Sequence, residues 1–265
     1  MRKPNKFIMK YYHLENDIFF NQLFDTGGAI FTFNDKVTSS IWNHAFPYDI
    51  EGKNEDETLL NYKTFIQDAV SFFLSKGRQP AIYLDERYFS TKMLELLYKN
   101  KFERFDNEAW MRLKRVKKSA LKTHKLNMVH IDDLSKANDF FNVVSICFSP
   151  QYSEEFTNDF DKIFGFKKIE HFSFYDEDGK SIGASSVYYD KETAHIHNIS
   201  VLPEFRRHGY GTMIVKQTFD YIRQELKIKD IVLQCDGVTV ESFYKNLGAE
   251  MFYRRYGYLL NVDTD

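Results

Sequence analysis

The feature that most constrains the fold is a strand that leads through a glycine-containing loop into a long helix. Thr193–Val201 reads as a strand, and the loop after it contains Arg206, Gly209 and Gly211 in the pattern R-x-x-G-x-G. The apolar positions that follow recur at helical spacing: Val215, Phe219, Ile222 and Leu226. One apolar stripe of this kind predicts an amphipathic helix over about 209–226 that packs on a sheet.

The segments around this crossover predict a mixed α/β layout in the order β-α-α-β-β-β-α-β-α-β-β. Asp132 or Asp133 is suited to cap the first helix, and Asp178-Gly179 is a hairpin signal. The predicted strands are Asn127–Ile131, Ile169–Tyr175, Ile182–Tyr189, Thr193–Val201, Asp230–Gln234, Glu250–Tyr256 and Tyr258–Val262. The other predicted helices are Ser153–Phe164, Gly209–Leu226 and Val240–Leu247.

The N-terminal part shows a less regular copy of the last elements in this order. Its predicted elements are helices at Glu57–Leu74 and Lys92–Lys99 and strands at Ala81–Leu84, Phe102–Phe105 and Ala109–Leu113. Tyr98-Lys99-Asn100 also matches Tyr244-Lys245-Asn246, in both cases between a helix and a strand. Because a basic stretch at 114–125 separates the two parts, we predict a duplicated fold with domains at 1–118 and 126–265.

The loop before the long helix has the chemistry of an anion site. The first helical N–H groups have no partner inside the helix, and the helix dipole places partial positive charge there. Gly209 and Gly211 let the backbone approach a ligand, while Arg206 and Arg207 add fixed cations suited to phosphate. The spacing matches neither the G-x-G-x-x-G motif of dinucleotide-binding folds nor a Walker loop. The expected ligand is therefore a pyrophosphate group that is bound by another kind of fold.

Two motifs carry a resemblance to a known family. Val201-x-Pro203-x-x-Arg206-x-x-Gly209-x-Gly211 resembles the [Q/R]-x-x-G-x-[G/A] signature of the GNAT acetyltransferases, which binds the CoA pyrophosphate. Phe243-Tyr244-Lys245-Asn246-Leu247-Gly248 resembles the family's late helix. Gly237, where many members have Asn, and Ala249, where Phe usually follows the Gly, depart from the pattern. The resemblance implies a GNAT acyl-CoA N-acyltransferase fold in two tandem copies.

The resemblance also implies a reaction and a set of site residues. Acetyl-CoA would lie between strands that separate after Val201 and Gln234, and the acetyl group would pass directly to an amine in a ternary complex. Tyr244 stands where the family has its proton donor, with a wall tyrosine as the alternative. The cofactor-binding residues would be Ile199, Ser200, Val201, Arg206, Arg207, His208, Gly209, Tyr210, Gly211, Thr212 and Tyr244.

The general base is less well defined, because the strand position where many members have a Glu falls in His195-Ile196-His197-Asn198. His197 is the candidate base or water-positioning residue, since an ordinary imidazole has a pKa near 6.5. Asn198 is a candidate for orienting substrate, and a packed strand histidine is the alternative for His197. His195 and His197 share a face, but no third ligand has a supportive spacing, so we predict no metal.

The comparable N-terminal link, Pro47–Glu57, is acidic and would repel a pyrophosphate, so that half is expected to be a non-catalytic copy. A formal net charge of −2 argues against general nucleic-acid binding. With Cys147 and Cys235 as its only cysteines and no apolar run long enough for a membrane span, the chain is expected in the cytoplasm, as a monomer or homodimer. The acidic residues Glu154, Glu155, Asp159 and Asp161 would attract a cationic amine or form a solvated face.

The sequence therefore predicts an N-acetyltransferase for a small-molecule or peptide amine. A non-catalytic acyl-CoA-binding regulatory module and an aminoacyl-tRNA-using transferase are the alternatives. The balance of charge and the intact pyrophosphate loop count against the second of these.

Overall fold

The structure is a computed structural model that describes residues 8–10, 12–13, 22–35, 38–86, 88–117, 125–133, 136–148 and 168–261. The chain forms two compact units. Unit 1 comprises residues 1–109 and 253–265, and unit 2 comprises residues 110–252. The division thus falls inside two strands, whereas the sequence places the boundary at the basic stretch 114–125.

In the part of unit 1 that the structure describes, helices pack on sheet strands in the order β1-β2-β3-β4-β11-β5. Its elements are β1 (Gln22–Asp25), β2 (Ala29–Phe33), β3 (His44–Pro47), α1 (Glu55–Ser75), β4 (Ala81–Asp85), α2 (Thr91–Lys99) and residues 102–109 of β5 (Phe102–Leu113) with 253–260 of β11 (Ala249–Leu260). β3 and β4 are parallel, and β4 pairs antiparallel with β11. Its core is rich in aromatic rings, among them Phe31, Phe65 and Phe73, all nearly inaccessible to solvent.

Unit 2 carries the chain from the second half of β5 to the first half of β11. Its further elements are β6 (Asn127–Ile131), α3 (Ala137–Cys147), β7 (Ile169–Tyr175), β8 (Ser181–Tyr189), β9 (Thr193–Val201), α4 (Tyr210–Tyr221), β10 (Asp230–Asp236) and α5 (Val238–Leu247). The strand order is β11-β5-β10-β9-β8-β7-β6, in which β9 and β10 are parallel and β6 to β9 form an antiparallel meander. The predicted mixed α/β class is therefore confirmed.

Several predicted elements need correction. Phe102–Phe105 and Ala109–Leu113 are parts of one continuous strand, β5, and the two predicted C-terminal strands are likewise the single strand β11. Helix α3 begins after Lys136 with no side-chain cap, so neither Asp132 nor Asp133 caps it. The predicted helix Ser153–Phe164 and its four acidic residues lie outside the described residues.

The strands β1, β2 and β3 do not follow from the sequence patterns, because they are only 4, 5 and 4 residues long. Among the described helices, none is long and apolar enough to cross a membrane.

Candidate active site

The candidate site lies where two parallel strands of unit 2 part. Pairing between β9 and β10 runs from Thr193–Asp230 to Ile196–Leu233. Beyond that point β9 continues to Val201 and β10 to Asp236 without further register pairs. Two parallel strands that separate at their carboxyl ends leave a backbone-lined cleft between them.

The last residues of β9 turn polar backbone groups away from β8. Ser200 lies opposite Ala184, and the N–H of Leu202 donates to the carbonyl of Ile182 at 2.9 Å. Since alternate residues of an antiparallel strand bond to opposite sides, the backbone groups of Val201 face away from β8. Its carbonyl accepts from Arg206 Nε at 2.9 Å and contacts Cys147 Sγ at 3.4 Å. The N–H of Val201 thus lies on the side where β9 and β10 separate.

The loop after β9 ends in an open helix N-terminus. Gly209 precedes α4 with a φ of 90°, and Arg207 has a φ of 68°. Gly209 meets the requirement for a left-handed residue without strain, because it has no Cβ. No side chain caps α4, and its first turn has no acidic residue. A helix start of this kind, with no side-chain cap and no acid in its first turn, is suited to an anion.

The guanidinium of Arg206 braces this loop. Besides its bond to the Val201 carbonyl, its Nη2 lies 3.8 Å from the Cys147 sulfur at the end of α3. In this geometry Arg206 supports the backbone that would meet a phosphate. Its direct contact with phosphate stays a prediction.

Helix α5 lies close to the first turn of α4. A Cβ built on Gly211 would lie 3.4 Å from Phe243 Cζ and 3.8 Å from Val201 Cγ2. Glycine at this position therefore lets α4, α5 and the end of β9 approach one another. The motif residues Ile199, Ser200, His208, Tyr210 and Thr212 occupy the same strand, loop and helix turn.

Tyr244 is buried on α5, the helix that the sequence predicts to stop at Gly248. Gly248 ends α5 with a φ of 102°. Only 6% of the Tyr244 side chain is exposed. Burial, and secondly the Cys235 thiol on β10, raise the pKa of its phenol well above 10. Tyr244 thus keeps its proton at neutral pH and is a donor rather than a base.

His197 stands on β9 just after the last β9–β10 pair. Its Nε2 lies 2.7 Å from Nδ1 of His195, which is itself 1% exposed. Burial lowers the pKa of His197 to about 3, so its imidazole is neutral at physiological pH. In the part of the chain that the structure describes, no group of three or more His, Cys, Asp or Glu side chains is arranged to hold a metal ion.

Asn198 lies at an irregularity of the β8–β9 ladder. Its φ is 53°, and the register shifts between Ala184 and Ser186 opposite it. Its Nδ2 donates to Ser186 Oγ at 3.1 Å, and the same hydroxyl contacts His171 Nδ1 at 2.8 Å. Because this network anchors the amide, the contacts observed for Asn198 support the bent strand. Its role in orienting a substrate stays a prediction.

Sequence reasoning missed two residues of this region. Cys147 has no role in the sequence-based site, yet it is half-buried and touches both Val201 and Arg206. Phe243 was read only as part of a helix motif, yet it packs on Gly211. Both contacts join segments distant in sequence, so no local pattern could have revealed them. Cys235, by contrast, is buried.

Comparison with known proteins finds relatives for this arrangement. Residues 137–258 match the family model described as the acetyltransferase (GNAT) family. No curated protein sequence matches the chain significantly.

Several solved structures cover most of the chain, among them the following three. A functionally unknown conserved protein from Staphylococcus epidermidis has a TM-score of 0.73 at 14% identity, over 94% of this chain and 98% of that one. A GCN5-related N-acetyltransferase from Kribbella flavida has a TM-score of 0.67 at 9% identity, over 96% and 95%. A tandem GNAT protein from the clavulanic acid biosynthesis pathway has a TM-score of 0.55 at 12% identity, over 89% and 79%. At these identities the likeness is one of fold.

Proposed function

Because residues 137–258 match the GNAT acetyltransferase family model, we propose that unit 2 transfers an acetyl group from acetyl-CoA to a primary amine of a small molecule or peptide. The observation that carries this proposal is the uncapped N-terminus of α4 beside the parted ends of β9 and β10. A backbone anion site and a backbone-lined cleft in one place suit a thioester with a diphosphate arm.

The residues present fit such a ligand. The first N–H groups of α4, after Gly209, would hold the diphosphate, with Arg207 and His208 exposed beside them. Gly211 lets α5 and the end of β9 pack close to the start of α4. Acetyl-CoA supplies the acetyl group as an activated thioester. The N–H of Val201 would donate to the thioester oxygen and stabilise the negative charge that develops there.

The amine must lose a proton before it attacks the carbonyl. His197 would accept that proton directly or through a water molecule, since it stands at the start of the cleft. The C–S bond then breaks, and the leaving sulfur takes up a proton as the new amide forms. Tyr244 would donate to that sulfur, because its raised pKa keeps the phenol protonated.

The low pKa of His197 favours a second candidate, a module that binds acyl-CoA without transfer. An isolated imidazole with a pKa of about 3 is a weak base for an ammonium group. In that case the ligand would serve as a signal or as a structural element, and unit 2 would release no CoA.

Two measurements separate the candidates. Acetyl-CoA should raise the Tm of the full chain, since a ligand that binds only the folded state stabilises it. With a panel of primary amines, thiol release should then report turnover, and Tyr244→Phe should lower kcat about 10-fold or more while the Tm rise persists. Binding without turnover on any amine, together with no effect of Tyr244→Phe, would favour the module. No Tm rise would refute both.

A further inference from the structure

The peptide group between Val201 and Leu202 is held along both of its edges. The N–H of Leu202 donates to the carbonyl of Ile182 on β8 at 2.9 Å. On the other edge, the Val201 carbonyl accepts from Arg206 Nε at 2.9 Å and from the Cys147 thiol at 3.4 Å. Because a peptide group is planar, bonds on its two opposite edges fix its orientation. This group therefore ties the end of β9 to a strand on one side and to a loop and a helix on the other.

One edge of the Arg206 guanidinium makes the contacts on the loop side. Its Nε bonds the Val201 carbonyl, and its Nη2 lies 3.8 Å from Cys147 Sγ. Nε and one terminal nitrogen form the planar fork with which an arginine can hold both oxygens of a carboxylate or phosphate. In this structure that fork is turned toward the protein's own backbone and thiol.

The thiol of Cys147 completes the contact from the last residue of α3. Burial raises the pKa of this thiol, while the neighbouring Arg206 acts in the opposite direction with a smaller effect. The thiol therefore keeps its proton at neutral pH and serves as a weak donor to the Val201 carbonyl. Helix α3, the loop after β9 and the end of β9 thus meet at one carbonyl oxygen.

Resting on the acetyltransferase activity proposed above, we propose that Arg206 is a positioning residue that, together with Cys147, holds Val201 so that its N–H points at the thioester oxygen. The N–H and the carbonyl of one strand residue face the same side, so a fixed carbonyl also fixes the direction of the N–H. That N–H is the group that would stabilise the negative charge of the transfer step. Arg206 thus serves the transfer step rather than the affinity for the diphosphate.

Turnover and affinity separate this role from a direct phosphate contact. Arg206→Lys keeps the charge but loses the planar fork, and Arg206→Met removes both. We expect each to lower kcat about 10-fold or more and to leave the Kd of acetyl-CoA within about 2-fold at physiological salt. Arg112→Lys is the matched control and should keep kcat. Arg112 Nε also donates to an acceptor, Asp230 Oδ1 at 2.7 Å, but at the opposite end of the β9–β10 ladder.

The second donor is tested by a pair of variants at Cys147. Cys147→Ala removes the S–H group and should lower kcat by a smaller factor, about 3-fold, since one weak hydrogen bond is lost. Cys147→Ser keeps a donor at this position and should recover most of that loss. A rescue by serine would not be expected if Cys147 only filled space.

A further readout does not depend on turnover. Val-Leu peptide bonds occur twice in the sequence, at 201–202 and at 232–233. Protein labelled with 13C-carbonyl valine and 15N-leucine should therefore give two carbonyl–amide correlations in an NMR spectrum. A carbonyl carbon resonates further downfield when its oxygen accepts hydrogen bonds, so Arg206→Met should move the Val201 signal upfield. The Val232 signal, from a strand paired in the β9–β10 ladder, is the internal control and should stay in place.

Two results would overturn the inference. One is a Val201 signal that does not move in Arg206→Met. The other is a Kd for acetyl-CoA that rises about 10-fold or more in Arg206→Met while kcat is unchanged, because that pattern identifies a phosphate contact. If the wild-type protein binds acetyl-CoA but releases no CoA with any amine, the acetyltransferase proposal fails and this inference falls with it. Normal wild-type turnover with unaffected Arg206 variants overturns this inference alone.

Discussion

Each unit contains a parallel strand–helix–strand crossover. The two crossovers differ at the start of the helix, which a side chain caps in unit 1 but not in unit 2. In unit 1, the backbone N–H groups around the start of α1 are bonded to the chain's own side chains. Asn54 Oδ1 accepts from the N–H of Glu57 at 2.9 Å, and Glu57 Oε2 accepts from the N–H of Lys53 at 2.7 Å. Thr58 Oγ1 accepts from the N–H of Gly52 at 2.9 Å.

In unit 2, the same position is left open. Gly209 offers no side chain to α4, and the first turn is Tyr210, Gly211 and Thr212, where α1 has Glu55, Asp56 and Glu57. The acidic turn of α1 complements the helix dipole, whereas the first turn of α4 has no acidic side chain to do so. The two crossovers thus differ in whether a side chain caps the helix, and the proposed ligand site lies at the uncapped one.

The largest expected effect comes from closing the left-handed turn before α4. Gly209→Val forces a β-branched residue to a φ of 90°, so the loop must move and the backbone N–H groups lose their alignment. We expect the Tm rise with acetyl-CoA to disappear. Gly77→Val in unit 1, at a φ of 66° with open space around it, is the matched control for strain and should keep the rise. If both variants retain it, the diphosphate binds elsewhere.

A smaller effect should follow from transplanting the acidic cap. Thr212 is the third residue of α4, as Glu57 is of α1. Thr212→Glu should weaken acetyl-CoA binding about 10-fold or more through charge repulsion at the helix start, an effect that calorimetry at two salt concentrations would measure. Thr212→Gln, of the same size without charge, should lose much less. Equal losses in the two variants would show that bulk, and not charge, governs the site.

The smallest effect is expected at the capped helix start of unit 1. Asn54→Ala removes the cap of α1 and should cost about 1 kcal/mol of folding free energy, visible as a Tm lower by about 2–4 °C. Acetyl-CoA should raise the Tm of this variant as much as that of the wild type. A reduced rise would mean that the start of α1 takes part in binding.

The crossover of unit 2 was the most predictable part of the fold. Its strand bounds, Thr193–Val201, and the helix after Gly209 follow from hydrophobic period and from glycine position. The sequence did not predict β5 and β11 as continuous strands, because polar and glycine residues inside them resemble the residues of a turn. Gly257 sits inside β11, where a Cβ would lie 2.7 Å from Phe105 Cε1, so a ring and not a turn requires glycine there. In β5, Asp106 accepts from Tyr83 at 2.5 Å and stays within the strand.

At the site, the sequence supplied the candidates but not their environments. An imidazole pKa near 6.5 made His197 attractive as a base, and only the structure shows the burial that lowers its pKa to about 3. The spacing of His195 and His197 suggested a shared face, but their direct bond and the stacking on Trp110 depend on β5, more than 80 residues away in sequence. Such contacts are set by tertiary packing, which a local pattern does not record.

The position of β11 in the sheet of unit 1 has a consequence for biosynthesis. Residues 255–259 pair with 81–85, so unit 1 is discontinuous in sequence. On the ribosome, β4 emerges long before β11 is made, and its edge stays unpaired until residues 255–259 have been synthesised. The sheet of unit 1 therefore cannot close before β11 has been made, and an unpaired strand edge of this kind is where a nascent chain is most exposed to aggregation.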